Sequence, residues 1–256
     1  MTEKKPIAAF DLDGTIYRGN LVSRLCEELC RNGYISGLYA QNMVDLFVQR
    51  DNCQIPHRQY EQKLVNLLLV ALRRKSQSEL MRTAETVTDR AADQSFFFTT
   101  TLLDSLRRSH DCIAITGGMR EAAELLAEHW GFDVCFASVC EVAADLYTGR
   151  IIAAPAQNKG EVVRARAAAS NESTLDHSIA VGDSVSDILL LEAVERPIAF
   201  NPDASLAAMA ESRHWPIVLE RKNMIYVMQC GTCQLYPTSQ AIRAVRSVIS
   251  ECRELQ

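Results

Sequence analysis

The stretch Ile7-Ala8-Ala9-Phe10-Asp11-Leu12-Asp13-Gly14-Thr15 decides how the rest of this sequence is read. Ile7 to Phe10 is a short apolar run that predicts a buried strand, and it ends in two carboxylates, Asp11 and Asp13. Gly14 allows a tight turn, and Thr15 can hydrogen-bond locally in the loop. A central strand that delivers Asp at its carboxyl end places that carboxylate where open α/β sheets bind ligands. Two carboxylates in one loop repel each other unless a cation neutralises them. Mg²⁺ suits such a pair, because it takes few protein oxygens and keeps positions for water and substrate phosphate. By itself the same stretch is also an ordinary polar turn after a strand, so its context has to decide.

The context begins with size and composition. A chain of 256 residues, 48% apolar and 23% charged, can bury one large core or a core domain with a smaller insertion. Net charge is −5 with Lys and Arg spread widely, so no nucleic-acid footprint shows. Met1-Thr2-Glu3-Lys4-Lys5 runs into a strand rather than an apolar signal segment, and nine cysteines are an odd count. Reduced thiols in a cytoplasmic protein are therefore expected. Cys230 and Cys233 have a metal or redox spacing, but no second pair or nearby His completes a zinc site, and two incidental thiols is the plainer reading. The longest apolar run, Leu64 to Leu72, is too short to span a bilayer.

Along the chain, strand and helix signals alternate with one interruption. Leu21, Leu25 and Leu29 mark one face of a helix over 21–31, with Cys26 and Cys30 read as small core-facing groups. Helices follow over 37–49, 59–75 and 78–91, with no strand among them. From Phe96 the alternation resumes. Strands are expected at 112–115, 134–137, 178–181, 198–200 and 216–219, a hairpin around 145–151, and helices at 102–108, 120–130, 158–169, 187–194 and 204–212. The predicted fold class is α/β: a doubly wound parallel sheet with a small all-helical cap inserted after the first strand. The expected domains are a core of residues 1–17 and 95–225, a cap of residues 18–94, and a C-terminal helical extension of residues 226–256 packed on the core. Its helix, over 239–255, is amphipathic and basic on one side.

Three strands end in polar residues: Asp11 with Asp13, Thr116 before Gly117, and Asp183 with Asp187; Lys159 opens a helix. In a doubly wound sheet such strand ends converge on one crevice. Gathered charges make a poor structural motif and a good site for a metal and a phosphoryl group, whose transfer needs positioning and charge neutralisation. A carboxylate can also serve as a covalent nucleophile. These residues resemble the four motifs of the haloacid dehalogenase (HAD)-like superfamily: Asp11-Leu12-Asp13-Gly14-Thr15, then Thr116, then Lys159, then Gly182-Asp183-Ser184-Val185-Ser186-Asp187. The helical insertion, Tyr147-Thr148-Gly149-Arg150 and Asn201-Pro202-Asp203 look like its phosphoserine-phosphatase-like branch, subfamily IB.

The resemblance implies roles. Asp11 would be the nucleophile and Asp13 the acid and base, with Lys159 completing the catalytic set. Asp11, Asp183 and the backbone carbonyl of Asp13 would ligate Mg²⁺. Thr116, the Gly117 amide and Lys159 would bind phosphoryl oxygens. Asp187 would hold the metal's waters or orient Lys159, although an N-terminal helix acid favoured by the dipole reads almost as well. Phosphoserine phosphatases carry a glutamate shortly after the first motif to hold the substrate amine; Asn20 stands about there instead, which argues against L-phosphoserine. Arg18, Arg50 and Arg58 are candidates to read an anionic leaving group, with solvated surface charge as the plainer reading; Arg73-Arg74-Lys75 is read first as a solvated helix end and second as facing an acidic substrate or lipid headgroup. The expected function is a Mg²⁺-dependent phosphomonoester hydrolase of a small phosphorylated metabolite, working through an aspartyl-phosphate. The alternatives are a non-catalytic HAD-like protein that binds a phosphorylated ligand or a partner, and a phosphotransferase to an acceptor alcohol.

Overall fold

The computed structural model describes residues 4–169, 172–229 and 231–251. The opening stretch forms strand β1, Lys5–Phe10, whose residues Ile7 to Phe10 are all fully buried. Both neighbours of β1 are parallel: β2, Asp111–Met119, on one side and β5, Ser173–Gly182, on the other. A strand covered on both faces reads as an unbroken apolar run, which is why Ile7 to Phe10 shows no alternation. Its side chains still divide by parity. Ala8 and Phe10 join the larger core cluster, and Ile7 and Ala9 join the smaller one on the opposite face.

The sheet extends through β3 (Val134–Ala143), β4 (Leu146–Ala153), β6 (Arg196–Phe200), β7 (Ile217–Arg221), β8 (Met224–Gln229) and β9 (Thr232–Pro237), in the order β4-β3-β2-β1-β5-β6-β7-β8-β9. Pairing is parallel from β3 to β7 and antiparallel at both edges. The predicted α/β sheet is therefore present, with antiparallel margins. Residues 226–256 depart from the expected helical extension. Ile225, Val227 and Gln229 alternate as buried positions along β8, and two strands precede the terminal helix, so Pro216 to Leu219 is not the end of the sheet. The period of two spans only six residues there, too few to stand out from the helical pattern behind it.

Four helices separate β1 from the rest of the core: α1 (Leu21–Arg31), α2 (Gly37–Asp51), α3 (His57–Leu72) and α4 (Gln77–Ala91). Leu21, Leu25, Leu29 and Cys26 are buried, and the half-buried Cys30 thiol points to the Met43 sulfur at 3.6 Å. The chain enters and leaves this bundle through two linkers that pair with each other. Arg18 N–H donates to Gln94 O at 2.8 Å, and Phe96 N–H to Ile16 O at 3.0 Å. The larger core cluster runs through α1–α4 into the sheet without a break, so bundle and sheet share one apolar interior.

Beyond the bundle, the longer helices described against the sheet are α5 (Phe97–Leu106), α6 (Arg120–Trp130), α7 (Lys159–Ala169), α9 (Ala204–Ser212) and α10 (Ala241–Glu251). The helix expected over 187–194 is a 3-10 turn, Val185–Asp187, followed by the short α8, Ile188–Leu191. It stops early because the chain must re-enter the sheet at Arg196. Among the described residues no helix is long and apolar enough to cross a membrane. Cys230, of the Cys230/Cys233 pair, lies outside the described residues; Cys233 is an exposed free thiol.

Candidate active site

Asp11 follows β1 directly, its N–H still paired to Val181 O of β5 at 3.0 Å. The sheet thus carries the carboxylate to its own carboxyl edge, as the parallel order dictates. Lys159, the first residue of α7, is buried and donates to Asp11 Oδ1 and Asp187 Oδ1, each at 2.6 Å. Burial opposes the ammonium charge, but Asp11 and Asp187 more than offset it and hold Lys159 protonated.

Asp187 is fully buried and divides its two oxygens. Oδ1 takes Lys159, while Oδ2 accepts the N–H groups of Asp183 and Ser184 at 3.0 Å each and closes a capping box with Ser184. Helix-capping acid and lysine-orienting acid are therefore one and the same side chain. Gly182 permits this approach, since a Cβ there would lie 2.4 Å from the Asp187 Cβ.

Asp183 faces the first loop. Gly14, at φ +82°, passes so close that a Cβ on it would stand 2.1 Å from Asp183 Oδ2. Carboxylate oxygens of Asp11, Asp183 and Asp187 lie within 4.8 Å of one another. No hydrogen bond to the Asp183 carboxylate is present among the described residues, and both oxygens of Asp187 are already engaged. Burial first, then Asp11 and Asp187, pushes the Asp183 carboxyl far above the usual range; burial, only partly countered by Lys159, raises Asp11 as well. One ammonium does not neutralise this group. A hard divalent cation between Asp11 and Asp183 fits the donor set.

Asp13 turns away from that group. Its Oδ1 accepts Leu21 N–H at 2.7 Å, at the start of α1, and its Oδ2 lies 3.4 Å from the Thr116 hydroxyl. Burial pushes its carboxyl up to about 6, with Leu21 N–H acting against the shift and the charge of Glu61 adding to it. Thr116 is buried and also accepts Gly118 N–H at 2.9 Å, while the exposed Gly117 beside it leaves a Cβ-sized space open.

The candidate specificity residues separate. Asn20 caps α1 through Oδ1, which accepts Ser23 N–H at 2.9 Å, and donates from Nδ2 to Glu61 Oε1 at 2.8 Å. Arg18 does not face the carboxylates: it donates to Ser95 O at 2.7 Å, pairs with Glu220 and stacks 4.3 Å over Phe96. The Arg58 side chain lies outside the described residues. Arg50 is held by Glu27, Asp51 and Tyr60. Arg73, Arg74 and Lys75 line a cleft of about 710 Å³ against the β3–β4 hairpin, which shares no residue with the carboxylate site. Reading the sequence did not pair Asn20 with Glu61, the one acid of α3, because the two stand 41 residues apart on different elements.

A profile of haloacid dehalogenase-like hydrolases matches residues 8–192. The chain belongs to this family. Phosphoserine phosphatase SerB1 of Mycobacterium tuberculosis is 26% identical over 219 residues, covering 82% of this chain and 69% of the relative. Among solved structures, a protein of unknown function from Bordetella pertussis Tohama I superposes with TM-score 0.68 at 26% identity, covering 84% of this chain and 98% of its own. A phosphoserine phosphatase solved as a phospho-aspartyl intermediate analogue shares the fold at TM-score 0.56 and 21% identity, covering 86% of this chain and 95% of its own. Within the HAD-like hydrolases, the chain is thus similar in sequence to a phosphoserine phosphatase and in fold to another.

Proposed function

We propose that this HAD-like enzyme hydrolyses a small phosphomonoester through an aspartyl-phosphate on Asp11, with Mg²⁺ as cofactor. The observation that carries the reading is Lys159, bridging Asp11 and Asp187 at 2.6 Å beside an uncompensated Asp183. Mg²⁺ held by Asp11, Asp183 and the Asp13 carbonyl would neutralise the phosphoryl group and the approaching carboxylate.

The chain's own residues supply the rest. With Oδ1 bonded to Lys159, Asp11 presents its other oxygen to phosphorus. An Asp11 oxygen–phosphorus bond forms as the bond from phosphorus to the leaving oxygen breaks. Asp13, oriented by Leu21 N–H and Thr116, gives its proton to that oxygen. The same carboxylate then takes a proton from water attacking the phosphoenzyme, which releases phosphate and restores Asp11. Lys159 keeps its charge throughout, and Thr116 with the Gly117 amide receives the phosphoryl oxygens.

The test is phosphate release from a panel of phosphorylated metabolites, with Mg²⁺ and with EDTA, beside the Asp11→Asn variant. Metal-dependent release that disappears in Asp11→Asn is expected. Retention of most of the wild-type rate by that variant would remove the covalent route. Asp13→Asn is expected to lose most on substrates with poor leaving groups.

A further inference from the structure

We propose that the cleft between the helical bundle and the β3–β4 hairpin is a second binding site, for an organic phosphate: a phosphoryl group joined to an apolar body. The cleft measures about 710 Å³ and shares no residue with the carboxylate site. That is room for a molecule of metabolite size.

Its charge is one-sided. Arg73, Arg74 and Lys75, just past the end of α3, all line it. They reach one cleft because the chain reverses at Arg74, φ +61°, whose N–H donates to Tyr147 O at 2.8 Å, while Lys75 O accepts Tyr147 N–H at 3.0 Å. None of the three pairs with an acid among the described residues, and Lys75 lies over the Tyr34 ring at 5.4 Å instead. The acids of the adjoining hairpin are engaged elsewhere: Asp145 by Ser76 and Ser78, Glu141 by Thr148 and Arg150. Two guanidinium groups beside an ammonium offer forked donors that match phosphoryl oxygens.

The start of α2 adds donors without adding an acid. Ser36, also in the lining, is the N-cap of this helix, yet its side chain makes no capping bond and the first turn carries no acid. First-turn N–H groups and the positive end of the helix dipole are thereby left for an anion. Around the charges, Ile35, Tyr39, Val70 and Leu146 form an apolar surface, the last three of them exposed. Exposed apolar groups beside unpaired cations suit a ligand that has both parts.

Phenylphosphonate is the probe, because its carbon–phosphorus bond resists hydrolysis; in EDTA the catalytic carboxylates stay uncompensated and repel it. Isothermal titration calorimetry should find it bound at least about tenfold more tightly than methylphosphonate, as burial of the ring requires. Arg74→Gln removes one charge-assisted contact and should weaken binding at least about tenfold. Ser36→Asp caps α2 and sets a like charge in the cleft, so it should keep or raise Tm while abolishing binding. That variant separates loss of the site from loss of the fold. Co-sedimentation with vesicles of phosphatidylcholine and phosphatidic acid distinguishes the source of the phosphate. Pelleting that Arg74→Gln abolishes identifies a lipid headgroup, and phenylphosphonate binding without pelleting identifies a soluble molecule. No binding of either, equal affinity for the two phosphonates, or binding that survives both variants overturns the proposal.

Discussion

Asp183 is held where it repels its neighbours. It is packed against Gly14, faces Asp11, and has no described hydrogen-bond donor of its own. Such a carboxylate costs stability in the metal-free protein and returns it when a cation binds. At a Mg²⁺ concentration about 100 times the dissociation constant, the gain is about 2.7 kcal/mol. For a chain of this size that is a rise in Tm of roughly 5–10 °C. Asp183→Asn should therefore match or exceed the wild-type Tm in EDTA, yet show no rise with Mg²⁺; differential scanning calorimetry checks both. A metal-dependent rise that survives in the variant would place the cation elsewhere.

The linkers on either side of the helical bundle act as one element because Glu220 gathers them. Its buried carboxylate, near the end of β7, accepts Phe97 N–H at 3.1 Å and Phe98 N–H at 2.8 Å and pairs with Arg18. The first two are free donors at the start of α5, so one acid caps the helix leaving the bundle and ties down the linker entering it. Glu220→Ala leaves both donors unmet, that of Phe98 buried, and should cost about 2–4 kcal/mol in urea unfolding. Hydrogen exchange should quicken first at residues 16–20 and 94–98. If exchange rises uniformly instead, the two linkers are not coupled through this side chain.

Over the whole molecule, one histidine imposes a pH dependence away from the site. Burial first, and then the charge of Arg196, lowers His110 below its ordinary value of 6.5, with His177 also facing it. The folded protein therefore binds this proton less readily than the unfolded chain. Its contribution is intact above pH 6.5 and is lost as pH falls through 6.5 toward the lowered folded value. His110→Gln should flatten the fall in unfolding free energy between about pH 6.5 and 5, measured by denaturant titration at saturating Mg²⁺ so that the site carboxylates do not contribute to the difference. Equal slopes in wild type and variant would show that the imidazole titrates alike in both states.

The sequence by itself determined the alternation of strand and helix, the helical insertion, and the polar residues at successive strand ends. These are local signals: Ile7 to Phe10 is an apolar run because both faces of β1 are covered, and Asp11 follows because the strand must end at the crevice. The β8–β9 hairpin escaped notice because six-residue alternation is weak beside a long amphipathic helix. Only the tertiary structure decided the partners. Lys159 meets Asp11 across 148 residues, Arg18 turns from the site to Glu220, and Asn20 donates to Glu61, 41 residues on. Periodicity reports which face of an element is buried, but which charges meet depends on how the elements close on one another, and no window of sequence contains both ends of those contacts.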